Sequence, residues 1–155
     1  MKYCNTIILS VFIKPEEIEE DSAIRDKIKD KIHSLLPLDW EKEKIILKET
    51  RAEGFENREI TIYELKLLKD KEINVFIKNL CSKLSREQKD YLISEKNYRL
   101  HEEYDFYIRL DKKKLLNDIF EITNSGDCLH IRMNIASFPK SRENALKVIN
   151  EIFKV

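Results

Sequence analysis

The residues best suited to chemistry lie in the segment GDCLHIRMNIASFP, residues 126–139. Its apolar side chains alternate with His130, Arg132 and Asn134. A period of two is typical of a β-strand with one buried and one open face. The open face of this strand would therefore carry an imidazole, a guanidinium group and an amide.

A second alternating segment follows Phe106 and presents Tyr107 and Arg109. If both strands share one sheet, their open faces combine an aromatic ring with several bases. Such a surface can stack on unpaired nucleotide bases and neutralise phosphates. The run Lys112, Lys113 and Lys114 comes directly afterwards and is expected to be a mobile basic segment that contacts a phosphate backbone.

A third basic feature is the segment Pro139–Arg142, where Ser141 is expected to cap a helix between Lys140 and Arg142. A helix N-terminus beside two cations is suited to binding phosphate. Each of the three features, taken alone, is also typical of an ordinary solvated surface. The prediction of a polyanion site depends on their convergence in space.

The sequence indicates neither a metal site nor an active site. Cys128 and His130 share a strand face, but His33 and His101 lie elsewhere and no pair has zinc-like spacing. A hydrolase that uses Cys128 and His130 is an alternative without a local signature to support it. The two glycines, Gly54 and Gly126, are too far apart for a dinucleotide fingerprint or a P-loop. No cofactor is predicted.

The hydrophobic periodicity predicts an α+β fold with a two-layer, largely antiparallel sheet and helices packed on one face. One domain is expected to span residues 1–155. The first predicted elements are a strand at 6–14, a helix from 15 to about 36, and a hairpin of 44–52 and 59–67 around Gly54 and Asn57. A helix at 73–84 and a helix from the Ser85 capping box to about residue 97 follow. Strands at 106–111 and 120–123 come next, then a turn at 124–127, a strand that Pro139 ends, and a final helix after Ser141.

The composition limits what can be expected of the binding partner and of the cellular compartment. Lys plus Arg and Asp plus Glu each total 29, so only the placement of charge can favour a polyanion. Segment 15–37 has seven acids and four bases, whereas segment 126–155 has five bases and three acids. The surplus of charged residues resembles that of thermophilic proteins. Three widely spaced cysteines predict reduced thiols and a cytoplasmic protein, with neither a secretory signal nor a membrane span.

The sequence also resembles a known family. The segments NTIILSVFIKPEE, AEGFENREITIYE, YIRLDKKK and NSGDCLHIRMNIASFP occur in the order expected of an archaeal RNA-binding family. The resemblance covers nearly the whole chain. It implies a fold similar to the fifth large-subunit ribosomal protein and a role, predicted from genomic context, as an accessory subunit of the exosome. No catalytic residues come with the family.

Two functions from different classes follow from these observations. The first is a non-catalytic RNA-binding protein with little sequence specificity. Its expected contacts are Tyr107, Arg109, Lys112, Lys113, Lys114, His130, Arg132, Asn134, Lys140 and Arg142. The second is an assembly protein whose open sheet face docks another protein or a second copy of itself, with Tyr107 beside Phe55 or Tyr63 as exposed aromatic contacts.

Overall fold

The structure is a computed structural model that describes residues 2–54, 56 and 58–155. Its strands are β1 (Cys4–Ile13), β2 (Lys48–Glu53), β3 (Glu59–Leu67), β4 (Asp105–Asp111) and β5 (Cys128–Ile135). Its α-helices are α1 (Pro15–Glu20), α2 (Ile24–Leu35), α3 (Asp70–Lys83), α4 (Arg86–Ser94), α5 (Lys96–Arg99), α6 (Lys112–Leu116) and α7 (Arg142–Phe153). A 3-10 helix, Glu102–Tyr104, connects α5 to β4.

The five strands form one antiparallel sheet in the order β2-β3-β1-β5-β4. The segment that was predicted to be an alternating strand is thus β5, which pairs with β1 on one side and β4 on the other. Residues directly opposite one another on paired strands have neighbouring side chains on one face. The register therefore fixes which polar residues can meet.

One face of the sheet is covered by helices and forms the hydrophobic core. The alternating residues of β5 that point to this side, such as Ile131 and Met133, are completely buried. The helices contribute stripes at helical spacing, including Ile28 and Ile32 of α2 and Ile149 of α7. The other face of the sheet carries half-buried and exposed side chains. The predicted α+β class, with helices on one face, is confirmed.

Several local elements differ from the prediction. The helix predicted at 15–36 is two helices, because Asp21 is extended and its carboxylate accepts a hydrogen bond from the Ala23 amide at 3.0 Å. The strand predicted at 120–123 forms only an isolated bridge, between Ile122 and Leu110. Strand β5 ends at Ile135 and not at Pro139. The capping box at Ser85 and the cap at Ser141 are confirmed.

The hairpin between β2 and β3 was predicted to turn around Gly54 and Asn57. The Gly54 amide donates a hydrogen bond to the Arg58 carbonyl at 2.5 Å. A Cβ atom on Gly54 would lie 3.0 Å from that carbonyl and 2.9 Å from the end of the Ile60 side chain, so any other residue here would be tightly packed and would require Ile60 to shift. Asn57 and the predicted contact Phe55 lie outside the described residues. The other aromatic residue predicted to be an exposed contact, Tyr63, is 1% exposed and belongs to the core, so that expectation is wrong.

Candidate nucleic-acid interface

Two rows of side chains cross the open face of the sheet through β4 and β5. In the first row, Tyr107 of β4 lies opposite Arg132 of β5, and Arg132 lies opposite Ile8 of β1. In the second row, Arg109 lies opposite His130, which lies opposite Ser10. Four of the predicted contact residues, Tyr107, Arg109, His130 and Arg132, are thus adjacent on one face.

Three rings pack in a line on this face. The rings of Tyr107 and His130 have centroids 5.2 Å apart, and the rings of His101 and Tyr107 meet edge-on with centroids 4.7 Å apart. His101 comes close to Tyr107 because the chain reverses between α5 and β4, where the His101 amide donates to the Asp105 carbonyl at 2.9 Å. The rings form a rigid aromatic surface with Tyr107 in the middle.

The surroundings of His130 favour the neutral form of its imidazole by lowering its pKa. Burial is the main cause that lowers its pKa from the ordinary value, and the positive charges of Arg109 and Arg132 lower it further. A neutral imidazole can stack, donate one hydrogen bond and accept another. A phosphate bound between the two guanidinium groups would reduce the repulsion that a protonated His130 meets.

Arg109 and Arg132 are exposed, and their charges are not neutralised locally. In the described part of the chain, neither guanidinium group has a carboxylate oxygen within 4.0 Å. Arg109 donates one hydrogen bond, to the Asn124 carbonyl at 3.2 Å. By contrast, Arg99 pairs with Glu95 at 2.8 Å. Arg109 and Arg132, like the exposed Lys66 farther along the same face, are therefore available to bind an anion.

Of the four adjacent residues, Tyr107, Arg109 and His130 border an open cleft of about 650 Å³ beside β4, and Arg132 lies outside its lining. Its lining includes Tyr98 of α5, Tyr107, Arg109 and His130 of the sheet, and Asn124 of the segment that follows Ile122. That segment runs along the outer edge of β4, where the Thr123 amide donates to the Arg109 carbonyl at 2.9 Å. The cleft thus lies between α5 and the 121–124 segment, with the paired strands as its floor.

Lys112 does not belong to a mobile basic run, and this expectation is wrong. The residue is 2% exposed, and its ammonium group contacts the Phe12 carbonyl at 2.7 Å, Glu17 at 2.7 Å and Asp127 at 2.8 Å. Burial alone would raise the pKa of Asp127, but the hydrogen bond and charge of Lys112 outweigh it and lower that pKa. Lys112 joins three parts of the chain and is not accessible to a ligand.

The other two lysines of the run lie in α6, which begins where the Asp111 carboxylate accepts a hydrogen bond from the Lys114 amide at 2.9 Å. Lys113 is exposed. The Lys114 ammonium pairs with Glu121 at 2.5 Å, and this hydrogen bond raises the pKa of Lys114. Of the three predicted lysine contacts, Lys113 alone is both exposed and outside the ion pairs of the described residues.

Asn134, Lys140 and Arg142 are placed apart from the rings. The Asn134 amide donates to the Glu103 carbonyl and to Asp105, at 2.9 and 3.0 Å. Arg142 donates to the carbonyls that end α5, those of Asn97 at 2.6 Å and Leu100 at 3.0 Å. The exposed Lys140 ammonium lies 5.4 Å from the centre of the Tyr104 ring. In the predicted helix N-terminal phosphate site, the Arg142 guanidinium is therefore engaged with two carbonyls, whereas Lys140 remains exposed.

No group of three or more potential metal-ligating side chains occurs among the described residues. Cys128 is buried, and burial is the main cause that raises its pKa. A raised pKa keeps the thiol protonated and unreactive. In the same described ranges, none of the helices combines the length and the apolar character needed to cross a membrane.

Comparison with known proteins identifies the family. The sequence model of a family described as RNA binding matches residues 6–135. The chain belongs to this RNA-binding family. The matched range includes Tyr107, Arg109, His130 and Arg132, and it ends before Lys140 and Arg142.

Two relatives have similar lengths to this member of the RNA-binding family. One, from Pyrococcus abyssi, is named an RNA-binding protein and is 25% identical over 126 residues, which cover 81% of this chain and 82% of the relative. The other is an uncharacterised protein of Methanocaldococcus jannaschii, 26% identical over 152 residues, covering 96% and 97% of the two chains.

Solved structures support the fold of the RNA-binding family. A protein of Archaeoglobus fulgidus superposes with a TM-score of 0.77 at 23% identity, covering 96% of this chain and 99% of that one. A protein of Methanothermobacter thermautotrophicus gives a TM-score of 0.70 at 22% identity, with coverage of 97% and 98%. At these identities the likeness concerns the α+β fold alone.

Sequence reasoning missed residues that reach the cleft from outside the sheet. Tyr98, Arg99 and His101 line it, although they lie in α5 and in the turn that follows. No local pattern identifies them, because their approach to Tyr107 depends on how the chain returns into β4. Lys66, which lies opposite Ile8 in the same row as Arg132, could be assigned only once the strand order was known.

Proposed function

We propose that this protein binds RNA through the open face of its sheet and does not catalyse a reaction on it. The observation that carries the proposal is the placement of Arg109 and Arg132, without carboxylate partners in the described residues, beside the packed rings of Tyr107 and His130. Guanidinium groups bind phosphates, and aromatic rings stack on bases. Membership of the RNA-binding family supports the same conclusion.

The chemistry of Cys128 and His130 supports the non-catalytic part of the proposal. A nucleophilic cysteine needs a lowered pKa, whereas burial raises that of Cys128. A catalytic histidine is usually oriented by a third group, commonly a carboxylate. The groups that perturb His130 are instead two cations, Arg109 and Arg132. The arrangement favours binding over acid–base or nucleophilic catalysis.

The test compares two double variants that each remove two positive charges. Arg109→Gln/Arg132→Gln removes the proposed phosphate contacts. Lys78→Gln/Lys83→Gln, on α3 in the helical layer, removes exposed charges from the opposite side of the sheet and is the matched control. Fluorescence anisotropy with a labelled single-stranded RNA gives the affinity of each protein across a range of salt concentrations.

We expect the arginine variant to bind more weakly and with a smaller salt dependence. Each single-strand phosphate contact contributes about 0.7 to the slope of log affinity against log salt, so two lost contacts should reduce it by about 1.4. The α3 control should keep the wild-type slope. Equal slopes for both double variants would show that Arg109 and Arg132 do not contact the phosphates of the RNA.

Contact with another protein is a second candidate function, favoured by an apolar area on the β1–β3 side of the open face. Phe12 is 52% exposed and lies opposite Ile62, which is half-buried. Exposed apolar area of this kind is typical of protein interfaces. Light scattering of the wild type and of Phe12→Ser tests self-association. A wild type that stays at 18.6 kDa would contradict a homodimer.

We also propose, from the family resemblance, that the protein accompanies RNA processing or degradation by the exosome. Affinity purification from the native organism would detect exosome subunits in that case. A cytoplasmic setting suits the three free cysteines, which stay reduced there. Likeness to the fifth large-subunit ribosomal protein and a single domain over residues 1–155 remain predictions.

A further inference from the structure

We infer that the cleft beside β4 holds one unpaired nucleotide base, so that the protein selects single-stranded or bulged RNA over a regular duplex. This inference rests on the proposed RNA-binding function and adds the class of RNA to it. It is carried by the shape of the cleft, by its rings and by the positions of its charges. The size is suitable, because the cleft measures about 650 Å³ and pockets for small ligands range over roughly 300–1,000 Å³.

The rings of the cleft are arranged as a fixed floor and an exposed edge. His101, Tyr107 and His130 pack against one another, and Arg99 braces the floor by donating to the Tyr107 carbonyl at 3.2 Å. Tyr98 also lines the cleft but is 85% exposed. A ring left in water beside a rigid aromatic surface is suited to stacking on a flat ligand that enters between them.

The polar side chains at and beside the cleft are of the kinds that bind the phosphates and the base edge of a nucleotide. Arg109 lines the cleft, and Arg132, which lies opposite the cleft residue Tyr107, is just outside the lining. The two guanidinium groups can bind the phosphates that precede and follow the inserted base. Asn124 and Thr123 line the cleft next to Arg109, which donates to the Asn124 carbonyl at 3.2 Å, and they offer amide and hydroxyl groups to the edge of a base. The Arg99 charge is paired with Glu95, so the positive charge is concentrated at the proposed phosphate positions.

A regular duplex cannot use this cleft. The bases of an RNA helix stack on one another, so their flat faces are unavailable to Tyr98 or Tyr107. Charge alone favours the duplex, because its phosphates are more closely spaced than those of a single strand. A preference for single-stranded RNA would therefore indicate stacking, and a preference for the duplex would indicate charge.

The experiment measures the affinity of each protein for two RNAs at about 0.1 M salt. One is an unstructured strand of about 10 nucleotides, and the other is a blunt duplex of the same length. Tyr98→Ala removes the exposed ring, and Tyr98→Phe keeps it. Phe138→Ala is the matched control, because Phe138 is 97% exposed and does not line the cleft. Both tyrosine variants should fold, since little of the Tyr98 ring is buried.

We expect the wild type to prefer the single strand. Tyr98→Ala should weaken that binding by roughly 5- to 150-fold and leave duplex binding within about twofold of wild type. Tyr98→Phe and Phe138→Ala should behave like the wild type. A wild type that prefers the duplex, or a Tyr98→Ala variant that loses no affinity, would overturn the inference while RNA binding stands. Failure to bind either RNA would overturn the proposed function itself.

Discussion

Replacement of Lys112 by methionine distinguishes two roles for this residue. In the structure its ammonium group stabilises the fold through buried ion pairs, whereas the sequence predicted that it contacts RNA. The substitution keeps most of the side-chain volume and removes one buried positive charge. The ammonium group contacts the Phe12 carbonyl, Glu17 and Asp127 at 2.7–2.8 Å. Methionine supplies no hydrogen to any of these groups, so a carbonyl and two carboxylates lose their partner together.

The expected loss follows from the exposure of those partners. Removing one member of a fully buried ion pair costs roughly 3–5 kcal/mol. The Glu17 and Asp127 side chains are 18% and 31% exposed, so water can reach both carboxylates. We therefore expect the free energy of unfolding to fall by about 2–4 kcal/mol.

Urea unfolding at neutral pH, followed by circular dichroism, measures this change. Lys113→Met is the control, because Lys113 is exposed and its removal should change stability by no more than about 0.5 kcal/mol. The lowered pKa of Asp127 gives the pH dependence its sign. Its contribution is complete above the ordinary pKa of 3.8 and is lost as pH falls through the lower folded value. The Asp127 part of the difference between the two variants should therefore persist at pH 3.8 and disappear only below that lowered folded pKa.

Equal stability of Lys112→Met and Lys113→Met at neutral pH would refute this reasoning. The same two proteins also separate structure from binding. Folded Lys112→Met should retain the RNA affinity of the wild type, because its ammonium group does not reach the surface. A large loss of RNA affinity in the folded Lys112→Met protein would show that Lys112 contributes to RNA binding after all.

Two further predictions concern the open face and a helix cap. Arg132→Gln should raise the pKa of His130, because the substitution removes one of the two cations that repel a protonated imidazole, while burial keeps the pKa below 6.5. An NMR titration of the imidazole measures this pKa, and an unchanged value would mean that Arg132 does not act on His130. Ser85→Ala should lower the free energy of unfolding by about 1 kcal/mol, because the Ser85 hydroxyl accepts from the Gln88 amide at 3.1 Å; urea unfolding measures it, and a neutral effect would show that this cap is dispensable.

Local patterns in the sequence were enough to predict most of the strands and helices and the inward faces of the strands, although helix 15–36 is divided at Asp21 and residues 120–123 form only a bridge. The alternation around Ile131 and Met133 predicted a strand with one buried side, and both residues are buried in β5. The caps at Ser85 and Ser141 were equally readable, because an N-cap is formed by residues three positions apart. Signals of this kind depend on neighbours in the chain and need no knowledge of the remainder of the fold.

The tertiary structure decided which of the predicted site residues meet. Tyr107 and Arg109 approach His130 because β4 pairs directly with β5, an adjacency that no local pattern encodes. The contribution of His101 depends in turn on the reversal of the chain before β4.

The three consecutive lysines are the clearest case in which the sequence alone could not predict the environment of a side chain. All three are the same type of residue at adjacent positions, yet Lys112 is buried, Lys113 is exposed and Lys114 is paired with Glu121. The partners of Lys112 include groups 100 and 95 residues away, the Phe12 carbonyl and the Glu17 carboxylate. Burial of a charge is decided by such distant partners, which only the folded chain brings within hydrogen-bonding distance.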